Sequence, residues 1–315
     1  MKTEMNSNIA AIPLKRASIW KKLKDNMFLY ILLLPAFLIV LVFAYLPMPG
    51  LIIAFMEYDV LKGFNSPWVG FENIINIFTM PNIRQCILNT LSLSVLSLIF
   101  GFPAPIILAL LLNELRNGIF KRAVQTISYL PHFLSTITVV GLASIMYAVY
   151  GPLNDFRVAL FGLDTERIMF LSNQALFVPN IVIIEIWKGM GWGSIIYLAA
   201  LTSIDPQLYE AAYIDGANRW QQTINITLPG ITSTMVMLLI LRLGHLFNSN
   251  FELVYGMQNA FIDFEVISTT IYKTGVAAGN YSMGTAVGFT QGLVAFVLTF
   301  SANKLAKKIS GIGIW

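Results

Sequence analysis

Charge is what this chain has least of. Only 11% of its 315 residues are Asp, Glu, Lys or Arg, against roughly 25% in a soluble domain. So few charges cannot clothe a water-exposed surface of this size. Cysteine is almost absent: Cys86 stands alone, which excludes an internal disulfide and leaves redox compartment unread. Histidine occurs twice, as His132 and His245; with one cysteine these make no Cys/His metal cluster. No Walker-type phosphate loop occurs. Gly189, Gly191 and Gly193 form no such loop, because they lie in an apolar span with no strand before them. No local motif supports Ser-His-Asp catalysis, and His132, directly after Pro131 in an apolar run, reads as an interior histidine rather than a base.

What the chain has instead is long apolar runs. Hydrophobic residues make up 57% and mean hydropathy is +0.71, too much apolar surface for one soluble core to hide. Six segments are long enough to cross about 30 Å of hydrocarbon: about Phe28–Leu46, Cys86–Leu112, Ala123–Tyr150, Ala175–Ser203, Gly230–Phe251 and Ser282–Ala302. The fold class is an all-α membrane protein with six transmembrane helices. Residues 1–26 form a polar, basic tail, with an interfacial helix near Ile19–Lys24; residues 27–308 form the membrane domain, and 309–315 a C-terminal tail. The first apolar run is too long and lacks the cleavage site of a signal peptide. Gly50–Arg84, Gly151–Arg167 and Glu252–Lys273 read as external, the last partly re-entrant.

Basic residues are sorted by side. Lys62, Arg84, Arg157, Arg167 and Lys273 fall in external segments, against thirteen in the N-terminal tail, the Asn113–Arg122 turn, the segment after Asp205 and the C-terminal end. The bias places both termini in the cytoplasm. It also explains the net charge of +4 without nucleic acid.

Charges inside the spans are the next signal. In the fourth span Glu185, Lys188 and Trp192 share a helical face, and Glu185 and Lys188 are spaced to pair. In the fifth, Arg242, His245, Ser249 and Glu252 share another, with Asn248 beside it. Such faces turn toward the protein interior or a water-filled path. Two readings stay open: these residues tie spans together, or they line a solute path. In the second reading Trp192 offers a ring face for a sugar, and Asn248 and the charges offer hydrogen bonds. The glycines around Trp192 allow close helix packing or local unwinding.

The stretch the chain is organised around is Asp205–Pro229, a polar interruption between apolar runs. Asp205 can cap a helix, Pro206 fits its first position, and Gly216 can end it in the left-handed conformation. A second short helix, about Asn218–Thr227, runs into Pro229. Ala211 and Ala212 allow another surface to approach the backbone, and Glu210 and Asp215 flank that small-residue face. Read on its own physics, this is equally a solvated loop between two spans.

Glu210-Ala211-Ala212, then Asp215-Gly216-Ala217, then Ile226-Thr227-Leu228-Pro229 resembles the EAA loop of ABC importer permeases. The resemblance covers most of the chain, since the order of apolar segments agrees. It implies the type I importer, MetI-like permease fold, with Glu210, Ala211, Ala212, Asp215, Gly216, Ala217, Leu228 and Pro229 meeting a cytoplasmic ATPase. The run from Trp187 to Leu228, and the end through Trp315, is similar to the oligosaccharide and polysaccharide permeases called LplB-like. That implies an oligosaccharide importer in a bacterial cytoplasmic membrane, working by alternating access. Its partners would be a second, similar permease, two ATPase subunits carrying the ATP and magnesium, an external sugar-binding protein and membrane lipid. This chain itself would hold no cofactor and catalyse nothing. Glu185, Lys188, Trp192, Arg242, His245, Asn248 and Glu252 are the candidates for the sugar path. An amino-acid or peptide permease is the alternative substrate class. An ion-coupled secondary transporter is a third reading; it would need Glu185 or Glu252 as an ion site and would leave the Glu210 loop idle.

Overall fold

A computed structural model describes residues 24–116, 118–247, 250–311 and 313. The expected interfacial helix at Ile19–Lys24, except Lys24, and residues 1–23 of the N-terminal tail lie outside these residues, as do 312, 314 and 315 of the C-terminal tail. Among them there is no strand, only one bridge between Met56 and Trp68. The chain divides into two units, at Ile52 and Ile53.

The first unit carries helix α1, Met27–Val40, with Pro35 inside it and no buried side chain. The helix widens into a π turn at Leu41–Tyr45. Pro47 and Pro49 lack the amides that an α ladder needs. From Met48 to Phe55 the backbone is therefore the tighter 3-10 form.

The second unit is built on long apolar helices. Helix α2 is Glu72–Thr79; α3, Pro81–Gly101, runs into α4, Pro103–Glu114, as one apolar segment of 34 residues. Then come α5, Ile119–Tyr129, α6, Thr136–Met146, α7, Pro152–Phe161, and the 28-residue α8, Gln174–Leu201. Helix α9, Pro206–Ile214, and the short α10, Arg219–Gln222, lead to α11, Thr232–Gly244. Helices α12, Phe251–Met257, and α13, Ile267–Thr270, precede α14, Tyr281–Ser310.

Among the described residues four helices are long and apolar enough to span a membrane, or up to six if each of two bent pairs is one span. The first bent pair corrects the expected continuous span Ala123–Tyr150. Pro131 turns the chain through a 3-10 segment, Leu130–Phe133, and Ser135 caps α6 by accepting from the Thr138 amide. The two halves meet at 107°. The second corrects the expected span Gly230–Phe251: α11 stops at Gly244, and its approach is bent by 60°.

Helix α8 is central, packing against α3, α4 and α5. Two of its three glycines, Gly191 and Gly193, serve close packing, and none marks unwinding. The helix is unbroken through all three, and a Cβ on Gly191 would collide with the Ser128 carbonyl of α5. One core joins Leu93, Val139, Phe177 and Ile181 to Leu253, Val254 and Phe264. So the expected external loop after Glu252 is in part interior: α12 and the chain after it supply core side chains. A third cluster, Ile106, Ala109, Tyr197, Leu201 and Ile231, lies where α8 gives way to α9.

Candidate functional site

Two places stand out, a cavity among the long helices and a projecting corner after α8.

The cavity begins with a proline. Pro105 has no amide, so the Gly101 carbonyl one turn earlier has no helical partner. Arg242 from α11 fills the gap: one guanidinium nitrogen donates to the Gly101 carbonyl at 3.1 Å, the other to the Ser97 carbonyl at 2.8 Å. Gly101 makes this approach possible, because a Cβ there would lie 2.6 Å from the guanidinium. Ser97 serves twice, as its hydroxyl also donates to the Glu185 carboxylate at 2.7 Å. Glu185 and Arg242 thus both bind Ser97, one at its hydroxyl and the other at its carbonyl.

The expected Glu185–Lys188 pair does not form. Each side chain finds its partner on another helix, and Lys188 donates to the Thr136 hydroxyl at 2.8 Å. The space between is a cavity of about 440 Å³ whose lining includes Glu185, Lys188, Arg242, His245 and His132. That volume falls within the 300–1,000 Å³ or so typical of small-molecule sites. Ser94 hydrogen-bonds the Leu246 carbonyl across its wall.

Trp192 stands beside the cavity, not on its lining. Its indole lies parallel to the His132 ring, 4.7 Å away, with Phe133 edge-on at 5.6 Å. Trp192 is 46% exposed. His132 is exposed as well, against the expectation of an interior histidine, because the break at Pro131 swings it to the cavity. The expected shared face from Arg242 to Glu252 is interrupted, since α11 ends at Gly244. Glu252 starts the next helix, exposed and off the lining. Asn248 and Ser249 lie outside the described residues.

The projecting corner follows local rules. The Asp205 carboxylate accepts from the Gln207 amide at 2.9 Å, Pro206 opens α9, and Gly216 takes φ +77°. The Ala217 amide then closes back on the Ala212 carbonyl at 2.9 Å. Asn218 and Gln221 make a reciprocal capping box that starts α10. The expected single helix Asn218–Thr227 is shorter, because the backbone widens into a π turn at Thr223–Thr227. The Tyr209 hydroxyl shares a hydrogen bond with the Thr227 hydroxyl at 3.0 Å, and Arg219 meets Glu114 at 3.8 Å. The first contact braces α9 against the root of α11, and the second joins α10 to the end of α4. Yet α9 has no buried residue. Tyr213, Ile214 and Trp220 are 78%, 84% and 71% exposed. Glu210, Ala211, Asp215 and Gly216 are exposed, while Ala212, Ala217 and Leu228 are partly covered.

Sequence reasoning missed Ser97 and Gly101 on the cavity lining and Thr136 as the partner of Lys188. A signal existed for one of them: a proline four residues after Gly101 orphans its carbonyl.

The model of the family described as "Binding-protein-dependent transport system inner membrane component" matches residues 101–311. The chain is 44% identical over 297 residues to Protein LplB of Bacillus subtilis (strain 168), covering 93% of this chain and 92% of that one. It is 43% identical over 304 residues to the polygalacturonan/rhamnogalacturonan transport system permease protein YteP of the same strain, covering 96% and 94%. Among solved structures, a chain of a bacterial alginate ABC transporter, crystallised with an alginate pentasaccharide-bound periplasmic protein, superposes with a TM-score of 0.85 at 39% identity, covering 94% of this chain and 99% of that one.

Proposed function

The chain belongs to the family of binding-protein-dependent transport system inner membrane components, and from that premise we propose that it is the permease subunit of an ABC importer carrying an oligosaccharide. The observation that carries this reading is α9. A helix capped at both ends, braced at its root and buried nowhere is built to be covered by something else. Bare Tyr213, Ile214 and Trp220 would each gain by leaving water.

In this reading residues 27–308 form the permease domain, the bent pairs count as spans three and five, and both termini face the cytoplasm of a bacterial cell. Glu210, Ala211, Ala212, Asp215, Gly216, Ala217, Leu228 and Pro229 form or support the docking corner for an ATPase subunit. ATP and magnesium are bound and turned over on that subunit. A second permease completes the pore. An external sugar-binding protein delivers the load, as the alginate-bound periplasmic protein does for the transporter named above. When two ATPase subunits close on ATP, α9 and its counterpart are drawn together. The brace from Tyr209 to Thr227 passes the movement to α11, and through Arg242 to α3. The cavity then opens outward.

The test is reconstitution in proteoliposomes with both permeases, the ATPase and the binding protein. A saccharide, offered as oligogalacturonides, alginate oligomers or malto-oligosaccharides, is expected to raise ATP hydrolysis and enter the vesicles in step. If amino acids or peptides do so and no saccharide does, the reading fails.

A further inference from the structure

We propose that Lys188 is the residue in this chain that reads a carboxylate on the transported sugar, and that Arg242, the other cation of the cavity, is a structural brace. This rests on the sugar-import reading above.

The two cations differ in what they already hold. Arg242 donates to two carbonyls of α3, at Gly101 and Ser97, and has the Glu185 charge close by. Its charge is partly offset by Glu185 across Ser97, without direct ion-pair contact, and its direction is fixed by the carbonyl that Pro105 leaves open. Two of its five N–H donors are committed to the join between α3 and α11, so its position is set by that join and not by a ligand. Lys188 is the opposite case. Its ammonium has three protons to give and gives one to a neutral hydroxyl, that of Thr136. Among the described residues no carboxylate lies within 4.0 Å of it, and Glu185, three residues away, is engaged with Ser97. A half-buried, unanswered cation inside a membrane span is costly unless an anion meets it. Lys188 nonetheless lines the cavity, held there by the first residue of α6. Beside it the cavity also offers His132, whose ring is backed by Trp192. An anionic group entering this space meets Lys188 with two free donors, while the cavity's one carboxylate is turned aside to Ser97. A uronic acid residue fits that chemistry, where a neutral hexose would leave the ammonium charge unmatched.

The test uses the complete complex of both permeases and the ATPase in nanodiscs, titrated with trigalacturonate, its fully methyl-esterified form and maltotriose. The ester keeps the rings and removes the charge. The wild-type complex is expected to bind the free acid at least about tenfold more tightly than the ester, the scale of one charge-assisted hydrogen bond. Lys188→Met should bring the acid down to the ester's affinity and leave the ester unchanged. Lys188→Arg should keep the preference, which shows that charge and not packing is read. Arg242→Lys should weaken acid and ester alike. The proposal is overturned if Lys188→Met keeps the preference, if it weakens both ligands equally, or if the wild type binds ester or maltotriose as well as acid. In that last case oligosaccharide import still stands. If no saccharide binds or is transported and amino acids are, both fall together.

Discussion

Replacing Gly216 with proline leaves the chain in the membrane and stops it transporting. Gly216 holds φ at +77°, a region proline cannot enter, since its ring locks φ near −65°. The substitution also removes the Gly216 amide, which donates to the Tyr213 carbonyl at 3.1 Å. The turn that ends α9 is thus lost on two counts. A Cβ at this position would meet nothing within 4 Å, so the effect is one of backbone conformation and not of crowding. Because α9 buries no side chain, the helical bundle loses little when the corner rearranges. Membrane abundance should stay within about twofold of wild type, while uptake and saccharide-stimulated ATP hydrolysis fall more than about tenfold, the effect of about 1.4 kcal/mol or more on a coupling equilibrium. Gly216→Ala, which can reach positive φ at a cost of about 1–2 kcal/mol, should fall between. Uptake per assembled complex in proteoliposomes is the reading that matters; normal uptake by Gly216→Pro would remove α9 from the coupling scheme.

Replacing Gly191 with valine has the contrary signature: the chain fails to accumulate at all. At this point α8 and α5 touch backbone to backbone, and even a single Cβ would overlap the Ser128 carbonyl. The obstacle is main chain, which cannot rotate away as a side chain can, so the two helices must part. Overpacking usually costs about 1–3 kcal/mol, and a clash with backbone belongs at or above the top of that range. The cavity suffers too, because α8 carries Glu185 and Lys188 and the chain after α5 carries His132. Gly189, two residues earlier, makes the comparison sharp. A Cβ there meets nothing within 4 Å, and alanine is the better helix former by about 1 kcal/mol. Gly189→Ala should therefore be neutral or stabilising, read as membrane yield and as the unfolding midpoint of the purified complex. Equal behaviour of the two substitutions would contradict the packing described for α8.

These two glycines also show where sequence reasoning reached and where it stopped. Gly216 was legible because helix ends obey local rules: Asp205, Pro206 and Gly216 each act on backbone within a few residues, and the observed caps follow them. Gly191 was legible only as one of three equivalent glycines, since which glycine meets a neighbouring helix depends on the path of α5. Prolines gave the same trouble. Pro35 and Pro179 lie inside helices that continue, whereas Pro131 marks a 107° break. Glu185 and Lys188 on one helix and Arg242 and His245 on another, read in the sequence as two separate polar faces, line one cavity. Their partners were misread, because three-residue spacing suggested a pair within α8 while Ser97 and Thr136 waited on other helices. The end of α11 at Gly244 also escaped, which detached Glu252 from the face it was expected to share.

The most direct measurement places a single cysteine at Ala212, with Cys86 changed to serine, and follows labelling by a membrane-impermeant maleimide. Labelling is expected only in inside-out vesicles, and the purified ATPase subunit should protect the site when bound. Labelling of intact cells from outside, or full labelling with the ATPase bound, would contradict a cytoplasmic helix that grips a separate motor.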